Sequence, residues 1–422
     1  MFDLITDVLR SDMFRQIWSV VYYFLYVAVP LFLINTAWDF WVKYRRALFF
    51  AKQEYVLLEI KLPREIFKSP AAMEFCIAAM HSTLGEANWY EKYWKGSVRN
   101  QHSLEIVSID GSVHFYIRTK KREKKKIEAN IYSQYPGVEI YEVEDYTLPV
   151  VYDPEVNSMW VTEFELKKAD AFPIKTYIDY GMDKNPEEEY KLDPMTPLIE
   201  FLGSLDKGNQ VWIQILIRAH VSEERDPDRK WWNIFEKKDL RWKEGAKKEI
   251  DDIVAKAKGE KDKDGKLIPG TGRQLTEVEK DTISALDRSV SKKGFDTGIR
   301  VIYFALKDVF SMGNVGGVVG GIMHFNSSLN NFAPTGALSP KYKTPLLAWK
   351  DRNAKTLSTD KQDFLDAYKR REHFYWPYKR PHFILNTEEL ATLFHFPGGV
   401  STTPSFTRIE SKKAEAPANL PV

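Results

Sequence analysis

The sequence predicts an α+β protein on a membrane anchor, and three observations predict it. One uncharged apolar run, Ile17 to Trp38, lies near the N-terminus and nothing later repeats it over such a length. Between residues 53 and 145 the patterning runs strand, helix, hairpin, helix, strand, the split βαβ or ferredoxin-like order. Over 155–400 the same order recurs more loosely around a charged insertion at 223–293. The expected architecture is a single N-terminal transmembrane helix, a ferredoxin-like (βαββαβ) domain, and a second ferredoxin-like domain with a helical insertion.

As a helix the run Ile17–Trp38 would rise roughly 33 Å, enough for a hydrocarbon core of ~30 Å. Trp18, Tyr22 and Tyr23 stand toward one end and Trp38, Trp41 and Tyr44 toward the other, where interface-anchoring aromatics belong. Pro30 falls inside, which membrane helices tolerate better than soluble ones. Residues 1–16 carry Arg10 and Arg15 against Asp3, Asp7 and Asp12, whereas Lys43, Arg45, Arg46 and Lys52 follow the run. The positive-inside rule therefore places the short N-terminus outside and the bulk of the chain in the cytoplasm, at the plasma membrane. A cleaved signal peptide fits less well: the leader is poorly basic, the apolar core too long, and no small-x-small site follows. A lone Cys76 forms no internal disulfide, as suits a reducing compartment.

Some 44% of the residues are hydrophobic and 14% aromatic, which supports packed cores rather than disorder. The net charge of +2 argues against a broad nucleic-acid footprint. Tyr55–Leu62 alternates as a strand, and Ser69-Pro70 opens a helix with Met73, Ile77 and Met80 on one stripe. Leu104–Ile109 and Val113–Thr119 are strands joined by Asp110-Gly111, a strong hairpin signal. Lys121–Tyr132 is a helix, stopped by Pro136-Gly137 before the strand Val138–Val143. In the second half the candidates are the strands Trp160–Lys167, Val211–Val221 and Ile299–Leu306, the helix Pro197–Leu205, and a Gly-interrupted helix Val315–Leu329. His382–Leu385 would close the set. The insertion reads as two helices around the loop Gly259–Gly272; the second starts at a capping box, Thr276 to Glu279, and ends at Gly294. Residues 401–422 read as a linker-like tail.

Motifs for chemistry are sparse. Gly259 to Leu267 has the wrong glycine spacing for a P-loop, and Leu267 replaces the magnesium-binding hydroxyl. Gly313, Gly317 and Gly321 stand four apart, as in a helix that approaches a neighbour closely. His373, His382 and His395 lack partners at metal spacing, and no nucleophile elbow or zinc-protease motif occurs. No catalytic residue, metal ligand or cofactor is assigned. One basic cluster, Lys120, Lys121, Arg122, Lys124, Lys125 and Lys126, is a candidate patch for anions or a partner. The aromatic and cationic stretch His373–Phe383 reads chiefly as core packing, with base stacking as the alternative.

Three late segments, Thr297–Ala305, Phe325–Phe332 and Leu385–Pro397, are followed by Thr403-Pro404 and Ala416–Pro421. Together they resemble the N-terminal, membrane-proximal region of bacterial conjugative-transfer (type IV secretion) ATPases of the coupling kind, over about residues 50 to 421. In that family the last segment leads into a motor domain with a phosphate-binding loop, whereas this chain stops at Val422. The resemblance implies a place in secretion or DNA-transfer machinery, with the ATPase supplied by another chain or absent, and it transfers no catalytic residue. The expected function is thus a non-catalytic, membrane-anchored scaffold or adaptor. The alternatives are a tethered binder of nucleic acid or anionic lipid and a membrane-bound enzyme with a dispersed site.

Overall fold

The structure, a computed structural model, describes residues 12–63, 68–86, 88–183, 193–221, 242–258, 272–335 and 354–397. The tail 401–422, the glycine-flanked segment Gly259–Leu267 and the start of the insertion, 223–241, lie outside the described residues, as do the first eleven. Two compact units are resolved: residues up to Gln53 with Leu84–Val98, and Glu54–Thr83 with Arg99 onward.

The first unit is built on α1, Asp12–Ala51, a helix of 40 residues with Pro30 inside it. From Trp18 to Ala51 it is long and apolar enough to cross a membrane. At ~1.5 Å per residue it outruns a bilayer core. The helix continues beyond Trp38 because neither glycine nor proline interrupts residues 39–51, and the i,i+4 pair Asp39–Lys43 closes at 2.7 Å. The remainder of this unit contains a π-helical turn, Tyr90–Lys95.

The second unit is one nine-stranded antiparallel sheet. Its first half runs β1 (Tyr55–Lys61), α2 (Ala71–Met80), β2 (Gln101–Ile109), β3 (Ser112–Lys120), α3 (Lys124–Gln134) and β4 (Glu139–Val143). Its second half runs β5 (Asn157–Leu166), α4 (Met195–Gly203), β6 (Asn209–Ala219), β7 (Gly294–Leu306), α7 (Met312–Met323) and β8 (Phe332–Thr335). Two helices, α5 (Lys243–Lys258) and α6 (Glu277–Ser291), stand between β6 and β7. The spatial order is β4-β1-β3-β2-β6-β7-β5-β8, so the two halves mirror one another and join where β2 pairs antiparallel with β6.

The hairpin turn forms as the Asp-Gly pair demands, with both residues at positive φ (54° and 80°). A Cβ on Gly111 would stand 2.5 Å from the Leu205 carbonyl oxygen, so no other residue fits. The capping box at Thr276 is formed: Thr276 Oγ1 accepts from the Glu279 N–H, and the Glu279 carboxylate accepts from the Thr276 N–H.

Several expectations need correction. Residues 332–335, not 382–385, supply the fourth strand of the second half, pairing with β5 at the sheet edge. The segment expected to close the set forms β9 (Phe383–Asn386), which pairs with Gly294–Thr297 of β7 beyond the point where β5 stops. The Gly-interrupted helix ends at Met323, short of Leu329, and α6 ends at Ser291 because Gly294 already opens β7. A further helix, α8 (Ala354–Arg370), and a short capped one, α9 (Thr387–Leu393), complete the unit.

One sheet face carries Leu58, Ile106, Ile117, Ile213 and Val301 against α2, α3, α4 and α7, forming the larger core. On the other face Val107, Trp212 and Ile302 pack against Phe364, Leu365 and Tyr368 of α8. Strand alternation explains the division, since successive side chains leave opposite faces.

The glycines of α7 behave unequally. A Cβ on Gly317 would meet the Phe201 ring at 2.2 Å and one on Gly321 would meet Leu198 at 2.6 Å, whereas Gly316 and Gly320 face open space. Gly317 and Gly321 therefore admit α4, as the spacing predicts, and Gly313 does not take part. Gly321→Ala should lower stability by about 1–3 kcal/mol through overpacking. Gly320→Ala should raise it by about 0.5–1 kcal/mol through helix propensity alone. Chemical-denaturation midpoints of the two variants, compared with the parent, check the contrast.

Candidate functional site

The α8-covered face holds an unusual line of polar residues. Strand register places Glu59, Tyr116, Glu105, Gln214, Arg300 and Glu163 side by side across β1, β3, β2, β6, β7 and β5. Burying such a row is costly unless every group finds a partner. Glu105, fully buried, finds five donors. Its Oε1 accepts from Ser103 Oγ at 2.5 Å, Gln214 Nε2 at 2.9 Å and Arg371 Nε at 2.9 Å. Its Oε2 accepts from Tyr146 Oη at 2.8 Å and an Arg371 terminal nitrogen at 3.1 Å.

Arg371 enters this row just after α8, from a left-handed backbone position at φ 57°. That sharp exit ends the helix and lets the guanidinium fork grip Glu105 on one side and Asp145 on the other. The Arg371 carbonyl oxygen accepts from Gln101 Nε2 at 3.2 Å. Arg300 donates to Gln214 at 2.6 Å and to the carbonyl oxygens of Glu372 and Ala367. Burial opposes ionisation of Glu105, but the Arg371 charge and the bonds from Arg371, Ser103 and Tyr146 outweigh it and hold the carboxyl at about 2. Burial pushes the Tyr146 and Tyr368 hydroxyls, 2.9 Å apart, well above the ordinary phenol range.

A second buried charge centre lies at the β9 end of the sheet. Asp296 accepts from Arg218 Nε at 2.8 Å, Arg99 at 3.2 Å and His220 Nδ1 at 2.6 Å. Arg218 also lies over the Phe374 ring at 4.5 Å. Burial raises the Asp296 carboxyl, yet Arg218, His220 and Arg99 pull it far below the usual carboxylate range. In both centres the carboxylates are engaged by fixed cations. Chemically they can bind strands and α8 together; neither leaves a lone pair facing open space for a reacting group. Among the described residues no cluster of three His, Cys, Asp or Glu is placed to hold a metal ion.

The residues of the expected basic patch meet different surroundings. Lys120 ends β3 with its side chain buried, and that burial lowers its ammonium to about 8. Lys121 pairs with Glu54 at 2.9 Å, Lys124 with Glu142 at 2.6 Å, and Arg122 donates to Asn100 at 2.9 Å. Lys126 stands 4.0 Å from Glu123, and Lys125 is exposed. In the 373–383 stretch His373, Phe374 and Tyr375 are buried, while Trp376 is exposed.

Among the anchor residues, Ile17 and Pro30 lie within α1, and Trp18, Tyr22 and Tyr23 are exposed along it. Trp38 and Trp41 meet a partner that sequence reasoning missed, the segment Trp89–Trp94. The Trp41 indole donates to the Tyr93 carbonyl at 3.1 Å, and Arg45 Nε donates to the Trp94 carbonyl. Trp38 stacks on Trp89 with ring centroids 6.5 Å apart, and Trp41 meets Trp94 edge-on at 5.5 Å. The available signal was the density of Trp and Tyr among lysines over the seven residues Trp89–Lys95.

A family model described as a domain of unknown function (DUF8128) matches residues 53–408. The match opens directly after α1 and takes in both halves of the sheet. No curated protein matches the chain.

Proposed function

We propose that this chain, which belongs to the DUF8128 family, is a non-catalytic scaffold or adaptor that presents its sheet domain at the cytoplasmic face of the plasma membrane. The observation that carries this reading is the pairing of an exposed apolar helix, Trp18–Ala51, with a domain in which the buried carboxylates of Glu105 and Asp296 are engaged by its own cations. In those two centres the ionisable groups serve rigidity rather than chemistry. We read each half of the sheet, with its strands in the order fourth, first, third, second, as a ferredoxin-like unit, and α5–α6 as an insertion in the second. The excess of Lys and Arg after the uncharged run Ile17–Trp38 supports the cytoplasmic orientation.

Resemblance to the membrane-proximal part of coupling-type ATPases supports a place in a type IV secretion or DNA-transfer-like apparatus. Mild-detergent purification of the full-length protein from its native membrane, followed by mass spectrometry, tests this. Co-purification of a secretion-type ATPase or another subunit of such an apparatus is the expected result. Nucleotide hydrolysis by the isolated chain at motor-like rates would overturn it. The alternative of a tethered nucleic-acid binder is disfavoured by the pairing of Lys121 and Lys124 with glutamates, which cancels much of the local positive field.

A further inference from the structure

We infer that Trp89–Lys95 is a second membrane contact, a foot whose aromatics lie in the headgroup layer beside the point where α1 leaves the bilayer. The inference rests on reading α1 as the membrane anchor, and adds to it a contact made by a remote segment of chain. Four observations carry it.

The first is composition. The turn reads Trp89, Tyr90, Glu91, Lys92, Tyr93, Trp94, Lys95, and amphipathic aromatics mixed with lysines are the residues enriched at a membrane–water boundary. The second is depth. The turn is fastened to α1 through Trp38, Trp41 and Arg45, and the uncharged run of α1 ends at Trp38, with Asp39 next. A segment bonded at that level stands at the boundary whatever the tilt of the helix.

The third is exposure. Trp89 and Tyr90 are each 58% exposed and Trp94 42%, alongside Trp38 at 41%. A contiguous group of large aromatics left open in this way marks a surface that something apolar covers. The fourth is rigidity. Gly96 turns the chain at φ 66°, and a Cβ there would lie 2.4 Å from the Arg45 carbonyl group. Ser97 N–H closes the turn on the Glu91 carbonyl at 2.9 Å. The aromatics are thus held in place rather than carried on a loose loop.

The charges select the occupant. Lys92 and Lys95 lie over Tyr93 and Tyr90, at 4.8 and 5.5 Å, and Arg45 over Trp41 at 5.6 Å. Glu91 and Asp39 offset part of this charge, Glu91 at 3.9 Å from Lys95 and Asp39 at 2.7 Å from Lys43. The remaining cations flank the aromatics, the arrangement that meets lipid phosphates above an acyl boundary. The occupant is therefore the headgroup layer of the leaflet through which α1 emerges.

Nitroxide labels on the full-length protein in vesicles of phosphatidylcholine and phosphatidylglycerol test the inference. The single native cysteine, Cys76, is buried and its thiol pushed up to about 12 by burial, so introduced cysteines label selectively. Labels go at Tyr90→Cys, at Val27→Cys in the middle of the apolar run, and at Glu277→Cys on exposed α6. Collision with oxygen against a water-soluble nickel chelate should place the Tyr90 label within about 5–10 Å of the headgroup–acyl boundary, Val27 deep and Glu277 in water. A Tyr90 label as open to nickel as Glu277, with Val27 still deep, overturns the foot and leaves the anchor standing. Shielding of Tyr90 from both reagents would assign the surface to a protein partner and overturn it equally. A Val27 label in water would instead overturn the anchor reading beneath it. Should Tyr90→Cys misfold, a label at Glu91→Cys reads the same depth on the same turn.

Discussion

Replacing Arg371 with methionine is expected to lower the stability of the sheet domain by about 3–5 kcal/mol, the cost of stranding a buried carboxylate. Glu105 would lose the two bonds that its oxygens accept from the guanidinium, and Asp145 would lose its cation as well. The side-chain volumes are similar, so loss of packing contributes little. Adding Glu105→Gln to Arg371→Met should recover part of the loss, because the stranded charge is then removed; an additive double variant would mean that the two groups do not act as a pair. Urea midpoints of the three variants provide the measurement. The same centre sets an acid limit. Glu105 ionises at about 2 in the folded chain against an ordinary value of 4.5, so its contribution is complete above pH 4.5 and is lost as the pH falls toward 2. In Arg371→Met that acid dependence should shrink.

Asp296→Asn is expected to have an effect of the same order, about 3–5 kcal/mol, for the opposite reason. Here the change strands cations: Arg218 and Arg99 would remain buried next to a neutral amide. Because Asp296 ties β6 to β7 and Arg99 reaches it from the approach to β2, hydrogen exchange should rise first in the amides of Arg218, Ala219 and the β9 pairing, ahead of the Asp110–Gly111 hairpin. Uniform loss of protection over the whole sheet would argue that the centre is not a local staple.

Features encoded by neighbouring residues were legible in the sequence. The Asp110-Gly111 turn, the Thr276 capping box and the four-residue spacing of Gly317 and Gly321 each follow from local geometry, and each forms. Features that depend on distant partners were not. Glu105 and Arg371 are 266 positions apart, and nothing in either neighbourhood announces the other. Trp41 and Tyr93 are 52 apart, so the aromatic turn is recognisable by composition but not by what it touches. The strand Phe332–Thr335 is short and holds Pro334, which argues against a strand unless it is an edge one, as it proves to be. In the run Lys120–Lys126 the sequence displays charge but not direction. Strand β3 turns Lys120 inward, and the glutamates that face Lys121 and Lys124 come from elsewhere in the fold.

The central claim is that α1 is retained and fixes the domain to a membrane. Its most direct test is alkaline carbonate extraction of native membranes, combined with the intact mass of the protein recovered. Retention in the membrane pellet, with a mass that includes Ile17–Trp38, is the predicted result. A shorter protein released into the supernatant, its N-terminus beginning after Trp38, would contradict the account and identify the helix as a cleaved signal.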